Sequence, residues 1–300
     1  MYDVIIIGGG PAGLTSAIYA KRAGKSVLVI ERAAFGGQIT WSPRVENYPT
    51  LISASGNEIG DLMLSQAMEQ GAEVELEEVV SLRKTDAGFK AICEGGAEFS
   101  GRSVIIATGA KPAMPGLERE EEFTGNGLCF CAVCDGAFFS GKIVAVNGGG
   151  NSALQDALFL SEKCKKVYLI HRRASFRGEA RLVEALKKKD NVEFILNASI
   201  NALLGDSELS GITYTQSGET KQLGLDGLFV AIGHRPDNSR FGEFIALDEG
   251  GYAASPESCL TKTPGVFVAG DCRSKSVRQL TTAVADGAVA ALAACSYLDS

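Results

Sequence analysis

Residues 4–7, Val-Ile-Ile-Ile, form an unbroken apolar run that gives way to Gly8-Gly-Gly10-Pro11-Ala12-Gly13, and from Leu14 to Ala23 apolar residues return with a helical period. A short all-apolar run bounded by glycines predicts a strand buried on both faces, and the change of period predicts a helix after a tight turn. A second run, Val27-Leu-Val-Ile30, ends in Glu31 and completes a strand-turn-helix-strand unit. The pattern recurs as Ile143-Val-Ala-Val146, the turn Gly148-Gly-Gly150-Asn151-Ser152-Ala153, a helical stretch through Leu160, and Val167-Tyr-Leu-Ile170. Glu31 lies 23 positions after Gly8 and His171 lies 23 after Gly148, so His171 takes the register position of Glu31. Each unit is followed by a further strand-like run ending on glycine: Ile105-Ile-Ala-Thr108-Gly109 with Pro112, and Phe229-Val-Ala-Ile-Gly233 with Pro236.

These patterns predict an α/β fold of two Rossmann-like dinucleotide-binding domains, three-layered and related by internal duplication. The 64 residues after Pro236 are too few for a core of their own and are expected to return to the first module. The second module is then an insertion: residues 1–112 with 240–300 form one domain and 113–239 the other. The paired crossings, rich in proline at 112, 115 and 236, make a hinge.

Composition narrows the function. A chain of 300 residues with 45% hydrophobic and 22% charged content suits a soluble two-domain protein. Its net charge of -7 provides no basic field for nucleic acid, and Lys187-Lys188-Lys189 is expected to be a solvated helix end. The start lacks the basic region and long apolar core of a signal peptide. Leu280 to Leu292 carries Asp286 among small residues, which predicts a packed helix and no membrane span, so the expected location is the cytoplasm. Of eight cysteines, Cys93, Cys164, Cys259 and Cys295 are expected to be small buried hydrophobes; only the cluster from Cys129 to Cys134 is spaced for chemistry.

In the first turn, Gly8, Gly10, Pro11, Ala12 and Gly13 let backbone amides approach a pyrophosphate at a helix N-terminus. Glu31 repels a 2'-phosphate, so FAD or NAD fits and NADP does not. In the second, Gly148, Gly150, Asn151, Ser152 and Ala153 repeat the turn, but His171-Arg172-Arg173, with Arg177 beyond, inverts the charge at the ribose end. Guanidinium groups bind phosphate through charge-assisted bonds, so this module prefers NADPH. FAD with NADPH satisfies both better than two nicotinamides. Cys131-Ala-Val-Cys134 can close into a disulfide, and Asp135 is placed to pass protons as thiolates form and break. Cys129 brings a third thiol, which admits a metal or iron-sulfur site, but no fourth ligand follows with typical spacing and no metal is expected.

Over essentially its whole length the chain resembles the low-molecular-weight NADPH-dependent thioredoxin reductases. The resemblance rests on Gly8 to Gly13, Gly36-Gly37-Gln38, Val45-Glu-Asn47-Tyr-Pro49, Ala107-Thr108-Gly109, Cys131 to Asp135, Gly148 to Ala153, His171 to Arg177 and Gly265-Val-Phe-Val-Ala-Gly-Asp271, in that order. It implies that Glu31 binds the adenosine ribose of FAD, that Gly37, Gln38, Asn47, Thr108 and Gly109 lie near the flavin, that Asp271 bonds the ribityl chain, and that Arg278 and Gln279 lie by the isoalloxazine. It further implies a homodimer in which Cys134 faces the flavin, Asp135 is the acid-base, and a domain rotation presents the dithiol to thioredoxin. With only His171 and His234 in the chain, no carboxy-terminal histidine-proline pair is available, and there is no carboxy-terminal cysteine tail, as expected for the smaller type. Asn147 and Cys129 depart from the small residues such turns usually carry. Rival readings are the same relay serving a glutaredoxin-like or peroxiredoxin-type acceptor, a relay fed by ferredoxin, and a flavin- and NADPH-binding redox sensor.

Overall fold

Along the first strand, Tyr2–Ile7, Val4 and Ile6 bury themselves against helices while Ile5 and Ile7 join a separate core on the opposite face. Successive side chains of a strand point to opposite faces, so an unbroken apolar run marks a strand covered on both. The computed structural model describes all 300 residues. They divide into two units, 1–111 with 235–300 and 112–234.

In the first unit, parallel strands run in the order Glu73–Leu76, Val27–Glu31, Tyr2–Ile7, Glu98–Ile106, and Val266–Val268 joins beside the last of these. Gly88–Cys93 and Val79–Thr85 extend the sheet antiparallel from the near half of Glu98–Ile106. One face is covered by helices Pro11–Arg22, Gly56–Glu69 and Leu280–Asp299. Leu82, Phe89, Phe241, Phe244 and Ile245 pack the other. The parallel strands, the helices on one face, and the hairpin 79–93 with residues 241–245 on the other make the three layers.

Leu280–Asp299 is long and apolar enough to span a membrane by composition, but it lies against Pro11–Arg22. Ser16 Oγ donates to Gly287 O at 3.0 Å, and a Cβ on Gly287 would come within 2.3 Å of Ala12 O. The absence of a side chain at Gly287 lets the two backbones meet.

The inserted unit repeats the plan. Its parallel sheet runs Val192–Leu196, Lys166–His171, Ile143–Gly148, Gly227–Ala231, Leu128–Cys129, with helices Asn151–Ser161 and Ala180–Lys187 and a separate antiparallel meander, Ala198–Gly205, Leu209–Gln216, Glu219–Gly224. Val144, Val146 and Leu169 pack one face, Ala145 and Ile170 the other. The lysine run closes the helix Ala180–Lys187 at the surface, with Lys187 paired to Glu184 and Lys189 to Glu162.

The second crossing falls at 234/235, five residues before the boundary expected at 239/240. Residues 237–241 are tied to the first unit. Asn238, fully buried, donates to Gly251 O at 3.0 Å and Cys272 O at 2.8 Å; Arg240 reaches Glu78 and Val79 O; and Phe241 is inside the core.

Candidate active site

The first strand ends at Gly8, whose φ of +111° and absent side chain bring its Cα against Ala107 O, where a Cβ would lie at 2.3 Å. This close approach joins the turn to the Ala107-Thr108-Gly109 segment. The helix begins at Pro11 with Gly10 as its N-cap and no side chain capping its amides. Those first-turn amides, with the positive end of the helix dipole, suit a pyrophosphate. A Cβ on Gly13 would meet Gly8 O at 1.9 Å, so Gly13 packs helix against turn while Gly10 borders open space, its hypothetical Cβ no closer than 3.8 Å to any atom. Glu31 accepts Gly9 N–H at 2.7 Å and Ala33 N–H at 3.0 Å, which orients the carboxylate beside the turn and leaves lone pairs for a ribose.

Gly36 N–H donates to Gly9 O at 2.8 Å, laying Gly36-Gly37 along the turn. Gln38 Nε2 reaches Ala110 O at 2.6 Å, Asn47 Nδ2 reaches Gln279 Oε1 at 3.2 Å, and Thr108 Oγ1 reaches Asn238 Oδ1 at 3.4 Å. Gln279 caps the helix Leu280–Asp299. Arg278 lies over the Tyr252 ring at 4.1 Å and donates to Asp271 O at 3.4 Å. Asp271 Oδ1 is buried without a partner, and burial raises the pKa of this carboxyl. A buried acceptor with nothing to accept is the mark of a site shaped for a donor from elsewhere.

The inserted unit matches this turn by turn. A Cβ on Gly148 would lie 2.5 Å from Ala231 O, as Gly8 meets Ala107. Gly150 caps Asn151–Ser161 without a side-chain bond and has open space beside it. Ala153 is fully buried, its methyl packed against Gly148, and Asn151 Oδ1 accepts Glu179 N–H at 2.7 Å, fixing the loop that follows Arg177. Ser152 is exposed.

His171 is 5% exposed, stacked on Phe176, and so close over Gly149 that a Cβ there would lie 2.3 Å from the ring. Burial, with Arg177, Arg173 and Arg172 nearby, lowers its pKa against a hydrogen bond that the ring donates to the Ser175 backbone, which raises it. It therefore buttresses the loop as a neutral ring with Nε2 unpartnered. Arg172, Arg173 and Arg177 are exposed, and none is in an ion pair. Three unneutralised cations on one loop in an acidic protein form the site's electropositive end.

The dithiol heads its own short helix. Cys131 and Cys134 are joined as a disulfide with Cα atoms 5.3 Å apart, Cys131 is the N-cap of Ala132–Asp135, and Cys134 N–H points at Cys131 Sγ at 3.2 Å. Burial pushes the pKa of Asp135 up to about 6. Cys129 is buried on the strand beside Phe229, and burial, then the charge of Asp135, pushes its thiol far up. It is a packed residue and an inert thiol.

Several site residues escaped sequence reasoning. Asn238, Tyr252 and Asp286 hold the loops around Asp271, and Asp156 on Asn151–Ser161 is a carboxyl that burial pushes up to about 6. Only Asp286, a single acid in an apolar helix, left a signal.

Residues 2–287 match the pyridine nucleotide-disulphide oxidoreductase family. The whole chain aligns at 39% identity with 94% of a thioredoxin reductase of Listeria monocytogenes, and at 38% with 95% of one from Bacillus subtilis. The crystal structure of a thioredoxin reductase from Streptococcus pyogenes superposes with a TM-score of 0.94 at 35% identity, covering 100% of this chain and 98% of that one.

Proposed function

Because the chain belongs to the pyridine nucleotide-disulphide oxidoreductases and, within them, to the thioredoxin reductases, it is an oxidoreductase, and we propose that it carries electrons from NADPH through FAD and Cys131–Cys134 to the disulfide of thioredoxin. The observation that carries this proposal is the closed pair at the head of a short helix, with a raised carboxyl following it.

Gly8, Gly10, Pro11, Ala12, Gly13 and Glu31 fit the pyrophosphate and ribose of FAD; Gly37, Gln38, Asn47, Thr108, Gly109, Asp271, Arg278 and Gln279 fit its flavin half, with the unpartnered Asp271 Oδ1 in support. Bound FAD supplies a two-electron carrier between a nicotinamide and a dithiol. Gly148, Gly150, Asn151, Ser152 and Ala153 cradle the NADPH pyrophosphate, His171 supports the cradle by packing against Gly149, and Arg172, Arg173 and Arg177 hold the 2'-phosphate.

Two electrons and two protons convert the Cys131–Cys134 disulfide to a dithiol. One thiolate then attacks a sulfur of the substrate disulfide, forming a mixed disulfide and releasing the other sulfur as a thiolate. The second thiolate of the pair displaces the substrate as a dithiol and closes Cys131–Cys134 again. The N–H of Cys134 is aimed at Cys131 Sγ and, once the pair opens, would favour negative charge there, which supports Cys131 as the attacking sulfur. Asp135 supplies and recovers protons. A cytoplasmic homodimer is part of the proposal, supported by family resemblance and by six buried, unpaired cysteines that suit a reducing compartment.

The test is anaerobic NADPH oxidation by the purified yellow protein with thioredoxin as acceptor. Multiple turnover is expected. Flavin bleaching that stalls after one turnover would retain the donor and reject the acceptor; no bleaching by NADPH would reject the donor.

Asp135 gives a pH signature. With a pKa near 6 it is largely protonated below that pH, so the step drawing its proton is expected to slow as pH rises through about 6. Asp135→Asn should erase that inflection. Folding linkage has the same direction. The folded carboxyl holds its proton more tightly than the unfolded one, so the stability this adds is full below about 4 and lost as pH rises to about 6. Melting temperatures of parent and Asp135→Asn across pH 4 to 7 check this without reference to activity.

A further inference from the structure

Asp286 is 8% exposed within the helix Leu280–Asp299. Its Oδ2 accepts Gly270 N–H at 3.0 Å, Arg273 Nε at 3.2 Å and Lys275 Nζ at 2.9 Å, and its Oδ1 accepts Arg273 Nη2 at 2.9 Å. Both cationic side chains are 9% exposed. A buried carboxylate bound this fully stays ionised, and the cations hold its pKa below the ordinary value against the upward pull of burial.

The same segment carries Asp271, whose buried Oδ1 has no partner. Lys275 and Arg278 are near enough to act on its charge. A buried carboxylate oxygen beside two cations normally takes one of them, since a charge-assisted bond offsets the cost of burial. Here both are held elsewhere. Arg278 is spread over Tyr252 and donates to the carbonyls of Asp271 and Arg273. Lys275 is held by Asp286 and by Thr282 O at 3.3 Å.

We propose that Asp286 is a positioning residue for the flavin site: it holds Lys275, leaving Asp271 Oδ1 free to accept a hydrogen bond from a hydroxyl of the FAD polyol chain. The proposal rests on reading Asp271 as an FAD ligand. Without the Asp286 charge, Lys275 turns to Asp271 and competes with the cofactor.

The test is the rate of flavin release from the holoprotein after dilution, followed by free-flavin fluorescence. Asp286→Asn is expected to speed release at least tenfold, the equivalent of a hydrogen bond worth about 1.4 kcal/mol. Lys275→Met, which removes the competitor, should stay within twofold of the parent. The double variant should recover to within threefold. A purely structural role predicts a double variant at least as leaky as Asp286→Asn, and that result overturns the proposal, as does parental release from Asp286→Asn. Tenfold faster release from Lys275→Met also overturns it, and this measurement stands if Asp286→Asn does not fold. Asp271→Asn separates the premise. It should speed release; if it does not, the reading of Asp271 itself fails, whereas fast release there with parental release from Asp286→Asn rejects only the role of Asp286.

Discussion

Cys134→Ser is expected to abolish multiple turnover with thioredoxin, by a factor on the order of 10³ or more, while the protein stays yellow and NADPH still bleaches it once. The relay needs both sulfurs. With one removed, no disulfide can form to accept an electron pair, and no second thiol can resolve a mixed disulfide with the substrate. Neither cysteine belongs to the proposed cofactor cradles, residues 8–13 and 148–153 with their partner loops. Cofactor binding should therefore survive intact. Cys129 offers no substitute, because it is buried on its strand and burial, with the charge of Asp135, raises its thiol well above the ordinary value. Stopped-flow absorbance with steady-state NADPH oxidation checks both halves of the expectation. Turnover retained by Cys134→Ser would remove the dithiol from the pathway altogether.

Replacing Arg172 and Arg173 together by alanine should raise the KM for NADPH about 100-fold and leave that for NADH unchanged. Each charge-assisted bond to phosphate contributes about 1.5 kcal/mol or more, and every 1.4 kcal/mol is a factor of about ten. These side chains are exposed and in no ion pair, so their loss creates neither a cavity nor an unpaired buried carboxylate. The parent's preference for NADPH should also weaken with added salt, since exposed charges are screened. Initial rates with each nucleotide at low and high ionic strength measure both effects. An equal loss for NADPH and NADH would show that the loop does not read the 2'-phosphate.

The two fingerprints were legible because backbone geometry demands glycine at the same places in both units. Gly8 and Gly148 each abut a carbonyl from the neighbouring strand, and no other residue fits there. The all-apolar strands were legible because both faces of each sheet are covered. Register also equated His171 with Glu31, yet the two do different work. Glu31 bonds the turn through Gly9 N–H with its carboxylate partly exposed, whereas the His171 ring slides under the turn against Gly149 and leaves the exposed contacts to the arginines. Spacing fixes where a residue begins, and packing against Phe176 decides where its side chain ends. The loops around Asp271 were less legible still. Asn238, Tyr252 and Asp286 come from sequence-distant segments, and the bonds that join them carry no periodicity. The crossing near residue 235 was misplaced for the same reason: Phe241 and Arg240 follow a proline that looks like a linker, but their partners, Glu78 and Val79, lie over 160 positions earlier.

The six cysteines outside the dithiol bear on how the protein can be handled at the bench. All are buried, and burial raises every one of their thiols, to about 11 for Cys164 and Cys272 and about 12 for Cys259. A native chain exposed briefly to an alkylating agent at neutral pH thus presents nothing to label while the Cys131–Cys134 bond is closed, and two sulfurs once it opens. Intact mass then becomes an electron count: the increment per molecule reports how much of a sample is reduced, with no need to engineer away competing thiols.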